Sequence, residues 1–295
     1  MKNSFFFAKK NDIKFTFQIS IRAFMTAKLK DFEGYECLNY DESPFYPFRN
    51  RGRVIIEKSA IGQATWKEKD PKSRITFAPV VQYSKLLKFK PCFVVPVKQT
   101  LWKNKPLKTE TKTVQWQGHD FQMLRKEYSN FVTYYRVKSW INTPLYEWEM
   151  KRLSDHLKKN FPNTKFCMII DNVASHSKIE FPNLKMSFLP PNSTAALQPL
   201  DTSIFGTIKN VYAAWLMQET LEKGPENLKL EDCVRSLANI FWNMDVKCIN
   251  HGFKKTGLSK FQLQPVLETP LTREEEVMNL IESFDRFACS DSDED

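Results

Sequence analysis

Glycine is scarce in this chain of 295 residues, with only 8, and neither a Gly/Ser-rich stretch nor an internal repeat divides it. That excludes an array of modules on flexible linkers and favours one compact domain. Long apolar runs are missing as well. Nothing approaches the roughly eighteen residues that a membrane span needs, and the run from Phe5 to Ala8, the nearest thing to a signal sequence, is stopped by Lys9 and Lys10. Paired cysteines are also absent. Cys37, Cys92, Cys167, Cys233, Cys248 and Cys289 stand singly with no C-x-x-C, which argues against a zinc site and for reduced thiols. What is present is a 42% hydrophobic share, enough to fill a real core. A soluble, intracellular, membrane-free protein is expected.

Charge is unevenly distributed. Residues 273 to 295 hold nine acids against Arg273 and Arg286, a net of minus seven, so the overall +10 leaves plus seventeen on the rest. A body that basic attracts polyanions, of which nucleic acid is the usual one. Lys98, Lys103, Lys105, Lys108, Lys254 and Lys255 are the expected phosphate contacts. The acidic end A-C-S-D-S-D-E-D reads as a disordered tail, giving an extension at 1–34, a body at 35–260 and a tail at 261–295.

Within the body, residues 35–41, 74–83 and 92–97 read as three successive strands before any long helical stretch. A lysine-rich loop spans 98–112. A helix opens at Thr143 with Pro144 in its first turn and a buried stripe of Tyr146, Met150, Leu153 and Leu157. K-F-C-M-I-I-D is a continuous apolar run of the kind covered on both faces of a sheet, and 184–190 is a fifth strand. A helix then runs from Gln198-Pro199 to about Glu222 on the stripe Ile204, Ile208, Val211 and Trp215, followed by helical segments near 234–242 and 246–253. This order describes an α/β domain with a mixed sheet.

Three aspartates occupy telling places in that order. Ligands of open α/β sheets gather outside the carboxyl ends of strands, where Asp171 and the Asp41-Glu42 pair both lie. Strand alternation puts Asp41 on one face with Asn39 and Cys37, and Glu42 on the other with Tyr40 and Leu38. Asp201, three residues before Ile204 and seven before Ile208, is expected on their inward stripe. Each could serve alone as a helix cap, a turn residue or a partner of the helix dipole. Together they are the hard oxygen ligands that Mg²⁺ or Mn²⁺ prefers. Two such ions among three carboxylates leave about one net positive charge, which suits phosphodiester hydrolysis or strand transfer.

N-Y-D-E-S (39–43), K-S-R-I-T-F (72–77), I-I-D-N-V-A-S-H (169–176), F-L-P-P-N-S-T-A-A-L-Q-P-L-D (188–201) and I-F-G-T-I-K (204–209) resemble, in order, the catalytic domain of pogo/Tigger-type DDE transposases, the superfamily of the jerky proteins and centromere protein B. The similarity runs from about Glu36 to Phe253. It implies an RNase H-like fold with a five-stranded mixed sheet flanked by helices, two divalent metals, DNA as partner, a nuclear location, and a catalytic and metal-binding triad at Asp41, Asp171 and Asp201. Glu42, Asn172 and His176 match accompanying positions, and His176 could equally be a surface histidine on a short helix. Two departures stand out: Ser43-Pro44 replaces the usual D-E-T-G continuation, and only about forty residues precede Asp41, with no pair of short helices to read DNA sequence. The implied activity is therefore a transposon-derived DNA endonuclease or strand-transfer domain. Its alternatives are a domesticated DNA-binding protein that no longer cuts and a cellular nuclease for structured DNA, and self-association as a homo-oligomer stays open.

Overall fold

The computed structural model of the protein describes residues 30–32, 34–48, 73–85, 87–97, 110–116, 119–191 and 193–258. Most of the expected N-terminal extension, the whole acidic tail, and Lys98, Lys103, Lys105 and Lys108 lie outside them. A 3-10 turn at Lys30–Phe32 leads into β1 (Glu36–Tyr40) and β2 (Ser43–Phe45), followed by β3 (Ile75–Ala78), β4 (Val80–Gln82) and β5 (Cys92–Pro96). Next come β6 (Glu110–Trp116), β7 (His119–Glu127), β8 (Val132–Arg136), helix α1 (Thr143–Asn160), β9 (Phe166–Ile170) and β10 (Leu184–Phe188). The remainder is helical: α2 (Thr194–Leu197), a π-helical turn at Leu200–Ile204, α3 (Phe205–Lys223), a 3-10 turn at Pro225–Asn227, α4 (Leu230–Trp242) and α5 (Val246–Thr256).

β9 lies parallel between β1 and β10, with Cys37 opposite Cys167 and Ser187 opposite Ile169. On its other side β1 runs antiparallel to β4, and β2 runs antiparallel to β3. The register is continuous across both pairs. Leu38 faces Gln82 and Phe45 faces Ile75, so seven steps up one strand match seven steps down its partner. β1 and β2 are therefore one strand and β3 and β4 another, interrupted together where Asp41 stands opposite Pro79. Proline has no N–H to give a ladder, and the sheet opens at the place where the carboxylate sits.

Beyond β5 the structure corrects the expected count of five strands. β8 pairs parallel with β5, β7 antiparallel with β8, and β6 antiparallel with β7, which extends the sheet past its expected edge. The lysine run hid these strands, because its last residues, Glu110 to Lys112, already belong to β6. A usable signal was there in the β-branched and aromatic residues of V-T-Y-Y-R and in the two-residue Gln117-Gly118 spacer between β6 and β7.

Alternation along each strand sorts the side chains onto two faces. Leu38, Tyr40, Val80, Val94, Met168 and Ile170 meet Leu145, Tyr146, Met150, Leu153 and Leu157 of α1 in one core. Each such side chain, fully buried, contributes about 1.5–3 kcal/mol. On the opposite face Phe77 stacks on Phe93 with centroids 4.8 Å apart and meets Phe205 of α3 and Phe241 of α4 edge-on. Helices flank the sheet on both sides, as expected. Along α3 the inward place expected for Trp215 belongs instead to Leu216; Trp215 is half-buried and lies against Tyr212, with centroids 5.3 Å apart.

Candidate active site

β1 carries its chain out of the sheet directly into Asp41, and β9 does the same for Asp171. The two strands are parallel neighbours, so both carboxylates emerge at one end of the sheet. Asp201 reaches that end from the π-helical turn. Two buried amides hold the three segments together. Asn39 Nδ2 donates to the carbonyl of Ile169 at 2.9 Å, and its Oδ1 accepts from the backbone N–H of Leu200 at 3.0 Å. Gln198 Nε2 donates to the carbonyl of Tyr40 at 3.0 Å. Asn39 and Gln198 are fully buried and touch the residue before each acid or two before it. The sequence reading missed their part, although both lie inside the quoted motifs.

Asp201 does not occupy the buried stripe proposed for it. Leu200 and Ile204 are buried, whereas Asp201 is open to solvent, and the carbonyl of Leu200 accepts from the N–H of Phe205 across a widened turn. A π turn rotates each residue less than an α turn does. Counting back from Ile208 at α-helical spacing therefore overshoots, and Asp201 falls at the crevice edge. There its carboxyl lies close enough to that of Asp41 for each to act on the other's protonation.

Burial, then the nearby Asp201 and Asp171, push Asp41 well above the ordinary carboxylate range, against a backbone hydrogen bond at Glu42. Asp201 is raised as well, first by the partial desolvation of its carboxyl and then by Asp171, with the neighbouring Asp41 and Lys209 opposing. The α5 helix closes this side. Lys255 Nζ donates to the Thr202 carbonyl at 3.2 Å, and Gly252 packs so closely that a Cβ there would stand 2.9 Å from the Pro199 carbonyl and 3.0 Å from Ser203 Oγ. Lys254 and Lys255, in the last turn of α5, are exposed.

On the Asp171 side His176 is buried, which removes the alternative of a surface histidine, and no helix follows the strand. The chain turns tightly, with the His176 N–H donating to the carbonyl of Val173 at 3.0 Å, and lays the imidazole back beneath the strand ends. Nδ1 lies 2.7 Å from Asp171 Oδ1, and Nε2 lies 3.2 Å from Glu42 Oε1. Burial disfavours the imidazolium, but the hydrogen bonds to Asp171 and Glu42 outweigh it and push His176 up to about 10. Glu42 also accepts from Tyr40 Oη at 2.9 Å, on the face opposite Asp41. Asn172 is exposed.

Oxygen donors of this kind fit a hard divalent cation, and a buried Asp41 with acids for neighbours has a charge deficit that such a cation would fill. Among the described residues no three His, Cys, Asp or Glu side chains are already gathered into a group that could hold a metal ion. Asp171 instead lies against the imidazole of His176.

Residues 107–250 match the family described as DDE superfamily endonuclease. That stretch, just under half of the chain, is similar to a DDE superfamily endonuclease domain. The match contains Asp171 and Asp201 and begins after Asp41. The fold of the chain is RNase H-like. It is similar to a pre-cleavage Mos1 transpososome at 12% identity and a TM-score of 0.50, covering 88% of this chain and 64% of that one. A Mos1 mariner paired end complex with Mn, at 12% identity and a TM-score of 0.49, covers 83% and 59%. The chain thus spans about six tenths of the length of these structures. Among its described residues no helix is long and apolar enough to cross a membrane.

Proposed function

We propose that this is a transposon-derived DNA endonuclease or strand-transfer domain of the pogo/Tigger type, with Asp41, Asp171 and Asp201 holding two Mg²⁺ or Mn²⁺ ions. The observation that carries the reading is the placement of Asp41, buried at 7% exposure with the carboxylates of Asp201 and Asp171 near enough to raise it. Such a group is costly unless a cation compensates it. Bound ions would supply activation of the attacking water or 3′-hydroxyl and stabilisation of the leaving oxygen. The chain's own residues do the rest. Asn39 and Gln198 fix the backbone around the acids, His176 and Glu42 hold Asp171, and the lysines near 98–108 with Lys254 and Lys255 contact DNA phosphates. Nuclear location follows from a DNA partner.

Supercoiled plasmid incubated with the protein and Mg²⁺ or Mn²⁺ should be nicked or linearised, and an Asp171→Ala variant should not cut. Equal cutting by that variant sinks the triad. One observation favours a second reading, a DNA-binding protein of transposon origin that no longer cuts: Asp171 is already held by an imidazole, and among the described residues no ligand group stands preassembled. DNA binding that weakens with salt, without metal-dependent cleavage, would select it.

A further inference from the structure

Asp171 stands one residue past β9, where the ladder no longer fixes its neighbours, so something else must set the direction of its carboxylate. The His176 side chain, only 1% exposed, is wedged between two rings. Tyr146 lies 4.6 Å from it, tilted by 30°, and Tyr40 lies 5.7 Å away, edge-on. The imidazole is therefore held in one orientation by packing. Its Nδ1 lies 2.7 Å from Asp171 Oδ1 and 3.3 Å from the Asp171 carbonyl oxygen, and its Nε2 lies 3.2 Å from Glu42 Oε1, while Tyr40 Oη donates to the same Glu42 oxygen at 2.9 Å. The turn carrying the histidine is itself tied to α1, since Ser177 Oγ donates to Glu147 Oε1 at 2.7 Å. Strand alternation places Glu42 on the α1 face and Asp171 on the other, so the ring spans the end of the sheet.

We infer that Glu42 and His176 form a brace that sets the Asp171 carboxylate for metal binding, with His176 as the positioning residue and Glu42, steadied by Tyr40, as the anchor. This rests on the proposed role of Asp171 as a metal ligand. The logic is that of an outer partner fixing a ligand's orientation, here with the imidazole outside and the carboxylate inside. His176 engages Oδ1 and leaves Oδ2 as the oxygen available to a cation. A histidine that merely fills the core would need its rings but not Glu42.

The brace is tested by titrating Mn²⁺ into the full chain calorimetrically, with thermal unfolding measured for every variant. Glu42→Leu removes the acceptor at Nε2 and should weaken Mn²⁺ about ten- to hundredfold. Glu42→Gln keeps an acceptor oxygen and should stay within about threefold of the parent. His176→Gln, chosen over alanine to avoid a cavity between the tyrosines, should lose as much as Glu42→Leu. In ¹⁵N-histidine spectra of the metal-free protein, Glu42→Leu should move the His176 ring signals and Glu42→Gln should move them less. If the parent binds Mn²⁺, Asp171→Ala does not, and Glu42→Leu binds as the parent does, the brace is overturned and the metal reading stands. If the parent and Asp171→Ala bind equally or not at all, the metal reading itself falls, and the inference with it.

Discussion

Two carboxylates are buried on opposite faces of the sheet, Glu149 at 2% and Asp41 at 7% exposure, and their surroundings differ in kind. Glu149 faces a cation: Arg152 donates through Nη2 at 2.6 Å and Nε at 3.0 Å, and the Tyr134 hydroxyl donates as well. Arg152 in turn donates to the Lys90 carbonyl at 2.7 Å and lies over the Phe89 ring. Burial works against the guanidinium charge there, and Glu149 more than restores it. Asp41 faces other acids. A buried ion pair backed by further hydrogen bonds serves the architecture, whereas a buried carboxylate crowded by carboxylates serves something that arrives from outside. The contrast separates the residues that hold this fold together from those that the fold holds in readiness.

The comparison breaks most visibly if Asp41 behaves like Glu149. Asp41→Ala should lower metal-dependent cleavage on the order of a thousandfold, the scale of losing one strong stabiliser of the transition state, while leaving the metal-free protein at least as stable; a large drop in its melting temperature would count against the contrast. Glu149→Ala should do the reverse. Stranding Arg152 in the core should cost roughly 3 kcal/mol in denaturant unfolding, with Mn²⁺ affinity of the folded fraction unchanged.

Gly252→Ala tests the wall behind Asp201. The added Cβ meets a backbone carbonyl that cannot easily retreat, so roughly 1–3 kcal/mol of stability should be lost, and metal affinity should fall with it as the π turn shifts. The smallest effect concerns pH. Because Asp41 and Asp201 are raised, the folded chain holds their protons more tightly than the unfolded chain does. Their contribution to metal-free stability is fully present below the unfolded carboxyl value, about 4, and is lost as pH rises through the folded values. Asp41→Asn should flatten that decline in chemical denaturation across the pH range, and saturating Mn²⁺ should flatten it for the parent.

Local pattern was enough wherever burial was one-sided or complete. The stripe Tyr146, Met150, Leu153 and Leu157 placed α1, and the uninterrupted F-C-M-I-I placed a central strand, because hydrophobic periodicity is written along the chain. The positions of Asp41 and Asp171 at strand ends were legible for the same reason. The direction of Asp201 was not, since a π turn leaves no mark in apolar spacing; the hairpin after the lysine run left a signal that the charged residues before it masked.

The sequence by itself determined a basic α/β chain with acids at the carboxyl ends of two strands and ahead of a long helix. Only the tertiary structure decided that Asn39 and Gln198 bind those segments together, that His176 is buried between tyrosines and reaches both Glu42 and Asp171, and that Asp41 meets Asp201. These contacts join residues 130 or more positions apart, or turn on where a loop folds back. Their energies come from distances that no local propensity encodes.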